Sequence, residues 1–244
     1  MGWSWRVLGL VVVLSAQPAR AGECTASVVG GEPALQRQSA EARLRFIHER
    51  LRLDAHRARI WSTSWGAIYS ALAAGQLVAA PLVSHASGLD LYVGGGAALI
   101  GLIPLVVTPL KVMGDERRLD EIAAEPPAAD PCAALARAEE LLNRDAANEA
   151  RGQGLLFHGG NVVFNAGLFF VIGAGFGHWT SATISLLTGI ATGEIMILTQ
   201  PVGALKALRQ YRRGEIGSPS AGTHVAIVPL IAKNASGMAL ILTF

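Results

Sequence analysis

Four stretches of the chain, at 62–83, 91–112, 155–176 and 180–198, consist almost wholly of apolar and small residues. Each is close to the ~20 helical residues needed to cross roughly 30 Å of hydrocarbon. Polar interruptions are few: Gln76 in the first, His158, Asn161 and Asn165 in the third, and Glu194 in the fourth. Backbone amides in lipid have no water to bond, so runs of this kind read as helices. Short links at 84–90 and 177–179 join them into two helical hairpins, with Gly173/Gly177 and Gly189/Gly193 spaced to let helices approach closely.

A shorter apolar run at 7–14 follows Arg6 and precedes Ala19, Arg20 and Ala21. It is too short to span, and the A-x-A pattern reads as a signal peptide over residues 1–21, with the mature chain beginning at Gly22.

The segments around the hairpins have a different periodicity. In the region 22–61, Leu44, Ile47, Leu51, Ala55 and Ala58 recur at three- or four-residue intervals with arginines between them. Such a helix could lie on anionic lipid headgroups. We favour packing on a second helix, with the arginines paired to Glu41, Glu49 and Asp54. That second helix falls in the region 113–154: Asp130 is placed as its N-cap and Pro131 at its first position, followed by apolar Leu135, Ala138, Leu141, Leu142 and Ala146.

Leu51, Asp54 and Ala55 return as Leu142, Asp145 and Ala146 at an offset of 91, and Thr108 returns as Thr199. An internal repeat is suggested, each half an amphipathic helix, two spans and a basic exit segment. The organisation expected is therefore residues 1–21, 22–61, a first transmembrane hairpin at 62–112, an extramembrane helical segment at 113–154, a second hairpin at 155–202, and a basic segment with a β-hairpin at 203–244. In that last region 223–230 and 238–244 flank a turn at 233–237. The final alternation resembles the last strand of an outer-membrane barrel, but a barrel needs at least ~8 strands and excludes four apolar helices. The fold class is thus an all-α membrane protein with amphipathic extramembrane helices and a small C-terminal β-hairpin.

Composition supports this placement: 51% of the 244 residues are hydrophobic and 16% are charged, against roughly 25% charged in a soluble domain. The net charge of +2 gives no reason to expect a nucleic-acid partner. Outside residues 1–21, all 18 Lys and Arg lie on the face opposite the two short links. Positive residues mark the cytoplasmic side, whereas a cleaved signal peptide and an even number of spans place both mature termini on the exported side. Cys24 and Cys132 fall on that same charged face, and one disulfide there fits an oxidising compartment. We read the protein as multi-pass in an inner (cytoplasmic) membrane with both termini exported.

Motifs for chemistry are scarce. His48 and Glu49 open an H-E-x-x-H pattern that Arg52 closes without a second histidine, and there is no phosphate loop, G-x-S-x-G elbow or C-x-x-C. The sequence suggests no enzyme, cofactor or metal. Counting outward from the turn near Gly177 puts Glu194 level with Asn161, and His158 and Asn165 share the face of Asn161. A carboxyl within a span is costly when charged, so it is paired, protonated or functional. One reading is a protonated Glu194 bonded to Asn161 that braces the hairpin. The other is a proton- or cation-responsive site of a small transporter or channel subunit, built from Glu194, His158, Asn161 and Asn165. The scarcity of intramembrane charge favours a structural or interaction role in a bacterial-type envelope, with the bilayer, its anionic headgroups, another envelope protein or a second copy of the chain as partners.

Overall fold

A computed structural model describes residue 24, residues 33–124 and 130–217, and the backbone of two strands nearer the C-terminus; the expected signal peptide lies outside the described residues. Eight α-helices are present among them: α1 (Pro33–Gln36), α2 (Ala40–Ala79), α3 (His85–Val107), α4 (Val112–Ala123), α5 (Pro131–Gly152), α6 (Leu155–Phe170), α7 (Trp179–Leu198) and α8 (Gly203–Arg212). A 3-10 turn, Ala80–Leu82, ends the α2 rod, and a π-helical turn, Val171–Gly175, extends α6. Four helical stretches are long and apolar enough to cross a membrane, and their apolar windows stay largely uncovered within the chain. That is the surface a lipid-facing helix presents.

The packed core lies elsewhere. Ile47, Leu51, Ala55 and Ala58 of α2 meet Leu119 of α4, Leu135, Ala138, Leu142 and Ala146 of α5, and Ala204, Ala207 and Tyr211 of α8, all buried. Every apolar position predicted for the α2 and α5 faces is in this core, with Leu44 at its margin. The caps behave as their residue types require: the Asp130 carboxylate accepts from the Cys132 N–H at 2.9 Å, and the Ser39 hydroxyl from the Ala42 N–H at 3.2 Å.

Several boundaries differ from the sequence expectation. α2 runs unbroken from this core into the first span, 40 residues in all, whereas Gly152 and Gly154 interrupt the equivalent path between α5 and α6. The second span begins at His85, because Ser84 caps α3, and ends at Val107, because residues 108–110, Pro109 among them, break it before α4. The segment expected as a basic exit is the helix α8, packed on α5 and α2. In the C-terminal region the backbone of β1 (His224–Ala232) pairs antiparallel with β2 (Ala235–Thr243), so Ala235, Ser236 and Gly237 lie in a strand rather than in the turn assigned to them.

The halves share one plan. The starts of α2 and α5, the ends of α3 and α7, the starts of α4 and α8, and the N-caps Ser39 and Asp130 are each separated by 91 residues. Packing follows the same exchange: α4 contacts α2 and α5, α8 contacts α5 and α2, α3 packs on α2, and α7 on α6.

Candidate functional site

The Glu194 cluster forms as the level-counting expected. Asn161 Nδ2 donates to Glu194 Oε1 at 2.9 Å and to the Ile190 carbonyl at 3.0 Å. Glu194 Oε2 faces His158 Nδ1 at 2.5 Å, so one proton is shared across that pair whichever atom carries it. Asn165 Nδ2 donates to Asn161 Oδ1 and to the Asn161 carbonyl, each at 2.9 Å.

Two glycines make this possible. A Cβ at Gly193 would strike the Asn161 amide, and one at Gly189 the Asn165 amide. The other glycine pair acts differently: Gly173 admits the Trp179 ring, and Gly177, at φ +77°, forms the turn. His158 and Glu194 sit three and four residues from the ends of their helices. At 1.5 Å per residue they lie only about 5 to 6 Å below the charged face, a shallow depth for which carboxyl burial is cheap compared with the bilayer centre.

Between the α2–α3 and α6–α7 pairs is a cavity of about 840 Å³. Asn161 and Asn165 line it; Glu194 and His158 do not. At the far ends of the pairs His178 Nδ1 meets Asp90 Oδ1 at 2.7 Å, linking the α6–α7 turn to α3. Nothing in the spacing of these residues marks that contact, because they are 88 positions apart in different halves.

A second cluster lies in the helical layer. Asp54 accepts from the Gly203 and Ala204 N–H groups at 3.1 and 3.0 Å, and Glu149 from the Ala204 and Leu205 N–H groups at 3.2 and 2.8 Å. Two carboxyls thus share the positive N-terminal end of α8. Burial, followed by the hydrogen bond and charge of Asp54, pushes the Glu149 carboxyl up to about 10. Beside them Asp145 is buried, with neither oxygen receiving a hydrogen bond. Burial first, and then the facing Asp115 carboxylate, lift it to about 8. Asp115 itself is held by Arg144, through Nε at 3.1 Å, and by Arg118. The sequence offered one signal for this cluster, the recurrence of Asp54 at Asp145.

Cys24 and Cys132 form a disulfide with their Cα atoms 5.4 Å apart. Next to it Arg43, 1% exposed, donates from Nε to the Tyr211 hydroxyl at 2.7 Å, from Nη1 to the Cys24 carbonyl at 3.1 Å, and pairs with buried Glu139. Burial, then the Tyr211–Glu139 hydrogen bond, raises the phenol above its usual range. The acids that Arg43 and Arg59 engage, Glu139 and Glu116, are on other helices. The pairing to Glu41, Glu49 and Asp54 on α2 itself is corrected for these two arginines: Arg43 is buried toward α5, and the exposed Arg59 reaches across to α4.

No protein-family model matches the chain, and no curated protein or solved structure matches it.

Proposed function

We propose that the chain is a structural or interaction protein of a bacterial-type cell envelope. Two transmembrane hairpins would anchor it in the inner membrane, and an exported, disulfide-tied helical layer together with a C-terminal β-hairpin would meet its partners. The signal-like N-terminus and the shared face of Cys24 and Cys132 support that orientation.

The observation that carries this reading is the way the intramembrane polar groups are used. Both Glu194 oxygens and the amide N–H groups of Asn161 and Asn165 are bonded within the α6–α7 pair, and Glu194 and His158 lie off the cavity between the pairs. A carboxyl that braces one hairpin, away from any inter-hairpin passage, is a poor relay for ions. The alternative, a small transporter or channel subunit using Glu194, His158 and Asn161, makes a distinct prediction. On the structural reading, full-length protein and Glu194→Gln, reconstituted in vesicles with an internal pH dye, should show no proton flux and closely similar thermal stability. A wild-type flux that Glu194→Gln abolishes without loss of stability would overturn the structural reading in favour of transport.

A further inference from the structure

We infer that the cavity between the two helix pairs binds an acyl-chain amphiphile with an anionic head group, its head at Arg151 and its chain along the apolar walls toward Ile172. The shape comes first. Arg151 is in the last turn of α5, just before α6 begins, and Ile172 lies 17 residues after Leu155, the first residue of α6. Both line the same space. At 1.5 Å per residue the cavity therefore extends about 25 Å from the charged face into the span. Its volume of about 840 Å³ lies in the ~300–1,000 Å³ range of ligand sites. Drawn out over that depth, the volume suits a chain better than a compact metabolite.

The walls agree with the shape. Ile100 and Leu105 of α3 face the space with Phe164 and Leu168 of α6. Three of the polar groups along its length are already satisfied: the Thr188 hydroxyl donates to the Ile184 carbonyl at 2.8 Å, and the Asn161 and Asn165 amides donate within their own helix pair. A polar ligand at the level of those three groups would lose its water without gaining them as partners, whereas a methylene chain loses nothing.

Chemistry changes at the charged face. Arg151 is the one charged residue among those lining the cavity, and it has no ion pair or side-chain hydrogen bond among the described residues. Beside it Asn148 is fixed by accepting from the Lys111 N–H at 3.1 Å, and Gln200 by donating to the Glu149 carbonyl at 3.2 Å. A guanidinium without a partner at the mouth of an apolar slot selects an anionic oxygen group attached to a chain. It gives no advantage to a neutral head, and less to a zwitterionic one, whose own cation competes for the phosphate.

The test uses the full chain in a neutral detergent, exposed to mixed micelles of phosphatidylglycerol or of phosphatidylcholine with identical oleoyl chains, with native mass spectrometry reading the retained lipid. One phosphatidylglycerol per chain should be retained, with about a tenfold preference, the scale of a single charge-assisted contact. Arg151→Gln should bring the preference close to unity while chain binding persists. Gly160→Phe places a ring in the cavity from a position where an added Cβ meets nothing within 4 Å. It should keep its thermal stability without lipid and retain neither lipid. Three results would overturn the inference: no lipid retained by the wild type, an undiminished preference in Arg151→Gln, or stabilisation by inorganic phosphate alone equal to that by phosphatidylglycerol, which would mean a site for free anions.

Discussion

Asp145 converts the geometry of the helical layer into a pH dependence. Its carboxyl is 1% exposed with no donor on either oxygen. Burial raises its pKa to about 8, the facing Asp115 and more distant Asp54 add to the effect, and Arg144 opposes it. In the unfolded chain the same carboxyl titrates near ~3.9. Between those values the folded state holds a proton that the unfolded state releases. This group's contribution therefore disfavours folding progressively as pH rises from about 4 to about 8, and the penalty disappears toward acid.

At pH 7 about three units of that window have been crossed, and at ~1.4 kcal/mol per unit the cost is on the order of 4 kcal/mol. Asp145→Asn keeps the shape, supplies an N–H donor for Asp115 and has nothing to titrate. The variant should gain about 1 to 4 kcal/mol over wild type at pH 8, where the carboxyl's penalty is near its full size. Near pH 4 it should be close to neutral. Denaturant unfolding of detergent-solubilised protein, followed by circular dichroism from pH 4 to pH 9, measures both. A slope should survive in the variant, because Glu149, raised to about 10 by burial and by Asp54, acts with the same sign over a wider window. An Asp145→Asn variant less stable than wild type at pH 8, or with an unchanged pH slope, would refute the argument.

Arg43→Met leaves Glu139 buried against Tyr211 without its cation and should cost about 3 to 5 kcal/mol. Arg43→Met combined with Glu139→Leu should recover most of the loss, and equal losses in single and double variants would contradict the pairing. Reduction of Cys24–Cys132, which closes a loop over a sequence separation of 108, should lower stability by about 4 to 5 kcal/mol in the chain-entropy model. Quantitative alkylation of both thiols in the native, unreduced protein would show the bond to be absent. A reporter fused after Gly217 should be active only in the exported compartment, and activity of a cytoplasm-only reporter there would establish the opposite orientation.

How much of this was legible in the sequence depended on the range of each interaction. The spans follow from local composition, the α2 and α5 faces from a 3.6-residue period, and the Asn161–Glu194 contact from counting outward from a tight turn, all of which are local rules. Composition misplaces the ends of α3 because capping by Ser84 extends the helix through polar residues that read as a link, and Pro109 breaks it inside an apolar run. α8 does not declare itself as a helix because it is short, and its N-terminal amides are satisfied by Asp54 and Glu149, residues 149 and 55 positions away. The Arg43–Glu139–Tyr211 contact and the His178–Asp90 link are products of tertiary packing, for which one-dimensional spacing carries no signal, and Asp145 is marked only by its recurrence from Asp54.

The repeat explains why the polar groups gather where they do. Asp54 in α2 caps α8, a helix of the opposite half; by exchange of halves Asp145 in α5 should cap α4. It does not, because the first N–H groups of that segment turn back on their own chain: Met113 donates to the Leu110 carbonyl at 3.1 Å, and Gly114 and Asp115 to that of Lys111 at 2.9 and 3.1 Å. The Lys111 N–H goes to Asn148 instead. Asp145 thus keeps the position of a cap without its helix end, buried and facing Asp115 with no N–H donor to offset either effect. Elsewhere the equivalences run the other way. The positions 91 residues before Glu149, Arg151, Asn165 and Glu194 are Ala58, Ile60, Ala74 and Ile103. Both halves give the cavity apolar walls and amides, Gln76 from one and Asn161 and Asn165 from the other, but its one charge, Arg151, comes from the second half alone, so a cavity between two similarly built helix pairs is charged at one end only. That asymmetry is what a ligand with one charged end and one apolar length would require, and a strictly symmetric pair of halves could not supply it.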